Sequence, residues 1–545
     1  MRHRLARTLA LGGILISLGL AAAVPASADA SHALIQGSGS GWSANAVNQW
    51  IADVQSNGLQ VVYTASGSAQ GRKDFGYRTN DFAVSDIGYQ GVDPVTGDTD
   101  TSQGRQFSYL PIVAGGTAFP YQLRVSGQLV RNLRLSGQTL AKIFTGQITN
   151  WNDPAITKDN NGHGFPSIQI IPVVHSEGSG SSAQFTRYLD TEYPSIWRPY
   201  LGASGLTEYF PRKGRMIAQS GSDGVMNYIS SAAANGSIGY DEYSYALAKD
   251  YPVAKIENKA GYFTLPTQYN VAVALTQAQI NYNKKSPDYL LQNLNKVYNY
   301  GDKRTYPLSS YSYGIIPTAS DDKTMTTAKR QTLSDYLYYS ICQGQREVGP
   351  IGYSPLPINL VKASFQQIAL LKKADSKVDL SNRNIANCNN PTFDKSNPSR
   401  NYLAEVAPPP AACDQAGHGP CSGDAGSYTG NPDSNGKVPS SGGDTGGGGN
   451  SGNGKGNGGG NPNGNGNGNG NGKTGGTAVD PTTGQPIGST TNVAGSVASV
   501  PVELSGFQQS NLLPLLAVLA IALLALAIVL PPVLNRRMSR TRGGA

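Results

Sequence analysis

An α/β fold built mainly on parallel sheets is the architecture this sequence predicts. Two observations carry that prediction. From about Ser31 to Leu371, short apolar runs alternate with segments of helical spacing. At three junctions the chain narrows to glycine and serine, which suit tight turns from strand into helix. Val61-Val62-Tyr63, Phe82-Ala83-Val84 and Ile168 to Val174 read as buried strands. Val47, Trp50, Ile51 and Val54 fall at helical spacing, as do Phe185, Tyr188 and Leu189.

The two ends are of a different kind. Met1 to about Ala28 opens with Arg2, Arg4 and Arg7, runs through an apolar stretch from Leu9 to Val24, and closes on Ala26-Ser27-Ala28. That order defines a secretory signal peptide over 1–28. Leu512 to Leu530 carries no charge, and the apolar character extends to Leu534. A helix needs ~20 such residues to cross the hydrocarbon core, so 510–534 is expected to be a transmembrane helix. Arg536, Arg537, Arg540 and Arg542 follow in a basic tail, 535–545. Basic residues beside a span stay in the cytoplasm. The expected location is therefore the cell membrane, single-pass, with the folded region outside. Ser422 to about Ser505 is Gly, Asn, Ser and Thr, with too little apolar surface to offset the entropy of ordering. A flexible linker of about 80 residues has an r.m.s. span of about 50 Å. Residues 376–421, which include Ala407-Pro408-Pro409-Pro410, read as a connector.

The formal net charge of +8 belongs mostly to these ends. Seven arginines lie in the leader and tail, and about +1 remains for the exported part. Nucleic acid is thus not indicated as a partner. The cysteines are Cys342, Cys388, Cys413 and Cys421. An oxidising compartment suggests disulfides. Three pairings are open, with Cys342–Cys388 and Cys413–Cys421 favoured, the latter closing a short Pro/Gly loop. Cysteine spacing and the scarcity of histidine do not suit a metal site, and no cofactor is expected.

The chemistry gathers at the small-residue turns. The first is Gly37-Ser38-Gly39-Ser40-Gly41-Trp42-Ser43, the second Ala65-Ser66-Gly67-Ser68, and the third Glu177-Gly178-Ser179-Gly180-Ser181-Ser182. Each stands where a strand feeds a helix. Backbone N–H groups and hydroxyls at a helix N-terminus form an anion site through geometry and dipole. Asp86 ends the apolar strand Asp81-Phe82-Ala83-Val84-Ser85-Asp86. An ionised carboxylate only accepts hydrogen bonds. It tolerates an anion that still carries a proton, as phosphate does, and repels a fully ionised one such as sulfate.

The stretch from about Leu34 to Pro357 resembles the phosphate-binding subunit of bacterial phosphate ABC transporters, the Pst system. The resemblance rests on motifs in order. These include Leu135-Ser136-Gly137-Gln138-Thr139-Leu140, Ile143-Phe144-Thr145-Gly146-Gln147-Ile148 and Trp151-Asn152-Asp153. Further along stand Gly221-Ser222-Asp223-Gly224, Ile238-Gly239-Tyr240 and Gly352-Tyr353-Ser354-Pro355-Leu356-Pro357. It implies a two-lobed, hinged fold of the periplasmic-binding-protein type II kind. Lobe I would comprise 31–115 and 305–375, and lobe II 116–304. It also implies that inorganic phosphate binds between the lobes, at Gly41, Trp42, Ser68, Asp86, His175, Ser179, Gly180 and Ser181.

Four positions depart from the family: Gly41, His175, Glu177 and Ser181, the last standing where the family has Thr or Asp. Gly41 replaces a Thr or Ser, so that hydroxyl is missing unless Ser40 or Ser43 substitutes. The family's Arg-x-Asp-Gly-Ser-Gly reads His175-Ser176-Glu177-Gly178-Ser179-Gly180 here. The cation would then be a protonated His175 or an arginine such as Arg72 reaching in.

No nucleophile–base pair is evident, so binding without chemistry is expected, with delivery to ABC permease subunits served by a partner ATPase. The alternatives are a surface phosphatase, or a phosphate-sensing or adhesive protein on the same fold.

Overall fold

The computed structural model describes residues 32–92, 97, 99–394 and 397–421. The expected signal peptide, linker, transmembrane helix and basic tail lie outside these residues. The chain divides into compact units of 1–492 and 493–545, and every described residue belongs to the first. Among the described residues no helix is long and apolar enough to cross a membrane.

The chain opens with β1 (Ile35–Gly39), α1 (Ala44–Gln55), β2 (Val61–Thr64), α2 (Ser68–Gly76), β3 (Phe82–Ser85) and β4 (Phe107–Ala118). A second half contains β5 (Arg134–Leu135), β6 (Ile171–His175), α3 (Gly180–Glu192), β7 (Ile217–Gln219), α4 (Gly221–Ile229) and β8 (Ser237–Gly239). It continues through β9 (Asp241–Glu242), β10 (Lys255–Glu257), β11 (Phe263–Thr264) and α5 (Gln268–Leu275). The chain returns to the first half with β12 (Ser309–Pro317), α6 (Thr327–Ile341) and α7 (Ile358–Ala374).

The first half is built on a six-stranded sheet of order β9–β4–β12–β3–β1–β2, whose edge strand β9 is contributed by the second half and pairs with the end of β4. Strands β2, β1 and β3 are parallel, whereas β12 and β4 run antiparallel to their neighbours. The sheet β7–β6–β8 of the second half is wholly parallel. The expectation of mainly parallel sheets therefore holds for the βαβ segments and not for β4 and β12. A helical crossover forces neighbouring strands to run parallel. Strands that carry the chain out of one half and back are under no such constraint. The strand read over Ile168 to Val174 begins later, at Ile171. The backbone at Ile168 and Ile170 is taken up by hydrogen bonds to Trp151 and Thr149 (2.9 Å each).

Local sequence explains how these elements reach the cleft. Ala46, Val47, Trp50 and Val54 form the buried face of α1. Trp50 is fully buried and donates from Nε1 to the Gly344 carbonyl (2.8 Å). Glycine is required at position 39, where φ is +138° and a Cβ would lie 1.9 Å from the Val84 carbonyl oxygen. That close approach brings the start of α1 against the end of β3, and so Ser40 against Asp86. A continuous buried cluster runs from Trp50 and Phe82 to Phe119, Phe144, Phe185 and Tyr240.

The cysteines pair as Cys342–Cys388 and Cys413–Cys421. Residues 376–421 do more than connect. The first disulfide and a bond from Thr392 Oγ1 to the Leu356 carbonyl (2.9 Å) hold the segment to the first half. Leu403, Ala404 and Ala407 pack on Tyr269, Ala272 and Val273. The loop closed by the second disulfide seats on the second half. There Arg134 Nη1 donates to the Cys413 carbonyl (3.0 Å) and Lys255 pairs with Asp414 (2.7 Å). The segment thus straps one half to the other.

Candidate anion-binding site

Strands β1, β2 and β3 end on one edge of the large sheet, and β6 and β7 end on one edge of the small sheet. Ligands of open α/β sheets sit outside the carboxyl ends of such strands. The turns after β1, β2, β6 and β7 lead directly into α1, α2, α3 and α4, so four helix N-termini face this region. The two edges touch. The Ala69 N–H donates to the Gly178 carbonyl (3.2 Å). Arg72 on α2 reaches across to Glu208 (2.6 Å). Gly180 lies so close to Asp86 that a Cβ there would fall 1.8 Å from Oδ2.

Asp86 is the centre of the arrangement. Ser40 Oγ donates to Oδ1 (2.9 Å) and Oδ2 (2.8 Å) and Ser68 Oγ to Oδ2 (3.1 Å), and Ser43 Oγ lies 3.4 Å from Oδ1. Ser312 Oγ on β12 also donates to Oδ1. The Asp86 carbonyl accepts from the side-chain amides of Gln184 and Gln292. Burial pushes the Asp86 carboxyl up. The hydroxyls of Ser312, Ser40, Ser68 and Ser43 pull it down without cancelling the effect of burial. Among the described residues no lysine, arginine or histidine donates to it.

The predicted site residues fall into two groups. Ser68, Asp86 and Gly180 meet directly. Gly41 and Trp42 stand at the entry to α1, where their carbonyls accept from Tyr245 (2.6 Å) and Tyr353 (2.7 Å). Ser40 and Ser43 flank Gly41, and their hydroxyls are turned to Asp86 and Ser312. Ser222 Oγ of α4 lies 3.5 Å from where a Cβ of residue 41 would be. Ser179 caps α3, and Ser181 is buried in its first turn.

His175 belongs to a neighbouring cluster. Its Nδ1 meets Glu177 Oε1 (2.8 Å) and its Nε2 meets the Tyr240 carbonyl (3.3 Å). A carboxylate and a carbonyl are both acceptors, so both contacts are satisfied only by the doubly protonated imidazolium. Glu177 also accepts from the Gly221 N–H at the start of α4 (3.0 Å). Arg72 is committed as well, to Glu208, to Asp100 (2.8 Å) and to Ser85 Oγ (2.9 Å). Both candidate cations are therefore engaged by protein acceptors, Arg72 through each of its three nitrogens.

This pair has a pH signature. Burial alone would lower the His175 pKa. The Glu177 bond and charge, the Asp241 charge and the Tyr240 carbonyl outweigh burial and hold the imidazole above its ordinary value. A raised histidine contributes its full stabilisation below about pH 6.5 and loses it as pH rises through the folded value. Asp241 is pushed up to about 6 by burial, against the opposing charge of His175. Its effect is confined to a more acidic window, from about pH 4 to about pH 6. Urea unfolding is thus expected to show stability falling above pH 6.5, and His175→Gln to remove that slope. An unchanged slope in the variant would refute the assignment.

Ser312, Gln184 and Gln292 were not among the sequence candidates. One signal for Ser312 was present: Ser309, Ser310 and Ser312 stand in a strand that is otherwise apolar, and all are buried.

A profile of the PBP superfamily domain matches residues 23–343. The phosphate-binding protein PstS 2 of Mycobacterium tuberculosis is 32% identical over 329 residues, 59% of this chain and 83% of the relative. The phosphate-binding protein PstS of Xylella fastidiosa is 28% identical over 340 residues, 62% of this chain and 86% of the relative. That of Methanocaldococcus jannaschii is 27% identical over 339 residues, 60% of this chain and 83% of the relative. The chain belongs to the PBP superfamily and, within it, to the PstS family. It is a binding protein and not an enzyme.

Proposed function

We propose that this chain captures inorganic phosphate outside the cell, between its two halves, and delivers it to the permease of an ABC-type import system with a partner ATPase. The observation that carries this reading is the ring of hydroxyls around Asp86. Serines from two helix-starting turns and one strand converge on a single buried carboxylate at the meeting edges of two sheets. The N-termini of α1, α2 and α3 offer N–H donors to an anion there, at Gly41, Trp42, Ser68, Gly180 and Ser181, while Ser179, whose N–H is held by the Glu208 carbonyl (3.0 Å), offers its hydroxyl. Ser40, Ser43 and Ser68 turn their hydroxyls from Asp86 to the anion. Asp86 accepts the proton that phosphate still carries. His175 acts as a fixed positive charge behind α3 rather than as a direct ligand. Closure follows because phosphate contacts both halves only when they meet. The names of the PstS relatives, phosphate-binding proteins, support the same ligand.

The reading includes a membrane arrangement: a cleaved leader over 1–28, a linker over 422–505, a single helix over 510–534 and a cytoplasmic tail. It is supported by the charge and hydropathy pattern of the chain ends. The deciding experiment is calorimetric titration of the full chain in detergent. Phosphate is expected to bind and raise the melting temperature, and sulfate to do neither. Absence of binding at about millimolar phosphate would overturn the reading.

A further inference from the structure

We propose that Ser312 sets the anion specificity of this site, by holding Asp86 as an ionised, acceptor-only group from the strand side. The inference rests on the phosphate reading above. Its basis is the different placing of the four hydroxyls. Ser40 and Ser43 lie in the turn that starts α1, and Ser68 is the first residue of α2. Their hydroxyls stand at helix N-termini and can rotate toward an arriving anion. Ser312 is in the middle of β12, fully buried, and its hydroxyl bonds Asp86 and Ser43 among the described residues.

The single proton of Ser312 is already committed. Ser43 Oγ donates to Ser312 Oγ (2.6 Å), so Ser312 accepts on that side and donates to Asp86 on the other. When an anion recruits Ser40, Ser43 and Ser68, Ser312 remains as the hydroxyl donor to Asp86.

No charge substitutes for it. Among the described residues the titratable groups facing this region include Tyr63 on β2, Arg72 on α2, Tyr245, whose hydroxyl donates to the Gly41 carbonyl, and His175, Glu177 and Asp241 in the second half. Tyr63 donates to the Ser40 carbonyl (2.9 Å). Arg72 is occupied by Glu208, Asp100 and Ser85, and His175 and Glu177 are paired with each other. A buried carboxyl without donors favours its neutral form. A neutral Asp86 carries a proton of its own and donates it. It would then welcome an anion with no proton, which the ionised form repels. Loss of the Ser312 hydroxyl should therefore show as sulfate gained as well as phosphate weakened.

The test is titration of wild type, Ser312→Ala and Ser312→Thr with phosphate and with sulfate, on the full chain in detergent, between about pH 5 and pH 8. In Ser312→Ala the phosphate-to-sulfate affinity ratio is expected to fall by about tenfold or more, the factor for one unit of carboxyl pKa. Sulfate affinity should rise as pH falls. Sulfate keeps its charge across this range, so that slope reports the protein. Ser312→Thr keeps a hydroxyl on a strand that favours β-branching and should restore the ratio. If the alanine variant does not fold, Ser312→Cys, with a weak S–H donor of similar size, should shift the ratio in the same direction. An unchanged ratio, or equal weakening of both anions, overturns the proposal. Failure of wild type to bind phosphate would instead sink the phosphate reading beneath it.

Discussion

Gly180→Ala is expected to abolish phosphate binding and leave the fold intact. Position 180 opens α3 and is absent from the left-handed glycines, so alanine suits its backbone and favours the helix by about 1 kcal/mol. The obstacle is steric and local: the new methyl would stand 1.8 Å from Asp86 Oδ2. Asp86 belongs to the first half and Gly180 to the second. The overlap is relieved either by parting the halves or by displacing the carboxylate from its serines. Hydrogen bonds to a charged group contribute about 1.5–3 kcal/mol each, so losing two would weaken binding by roughly a hundredfold or more. Calorimetric titration with phosphate measures the loss, and a melt without ligand shows whether the fold survives. Wild-type affinity in Gly180→Ala would mean that the anion does not sit between these two residues.

Removing the Cys342–Cys388 bond should give the largest loss of stability. It joins the end of α6 to the connector across 46 residues. Loop-closure entropy assigns a cross-link of that length about 4 kcal/mol, and native disulfides commonly return 2–5 kcal/mol when removed. Cys342 and Cys388 are buried, so reduction also leaves two thiols in an apolar setting. The double variant Cys342→Ser, Cys388→Ser is expected to unfold in urea with about 2–4 kcal/mol less stability. A difference below about 0.5 kcal/mol would show that the connector contributes little to the head.

Much of this was legible in the sequence for physical reasons. The turns at Ser40, Ser68 and Ser179 announced themselves because glycine and serine between a strand and a helix have few other uses. Asp86 was visible as an acid closing an apolar strand. The convergence of Ser68, Gly180 and Asp86 required the tertiary fold, yet their motifs had marked each one. Ser312 was harder. It comes from a strand more than two hundred residues downstream of Asp86, and its neighbours carry no turn or cap signal. His175 shows the opposite limit. Its place in the motif pointed to the ligand, but the side chain is held by Glu177 and Tyr240, contacts set by where β6 lies against β8. The antiparallel course of β4 and β12 was equally hidden, since an apolar run does not record the direction in which it is entered.

The strap over 376–421 fixes where a pull on the tail would act. Tension beyond Cys421 enters the second half, where Asn132 holds the Cys421 carbonyl (3.3 Å). The Cys413–Cys421 bond short-circuits the loop, so the strain passes straight to the clamps at Arg134 and Lys255. That load path ends on β5 and β10 and never crosses the cleft. A pull beyond Cys421 would therefore be borne by the second half before it reached the strap's hold on the first half at Cys342 and Thr392.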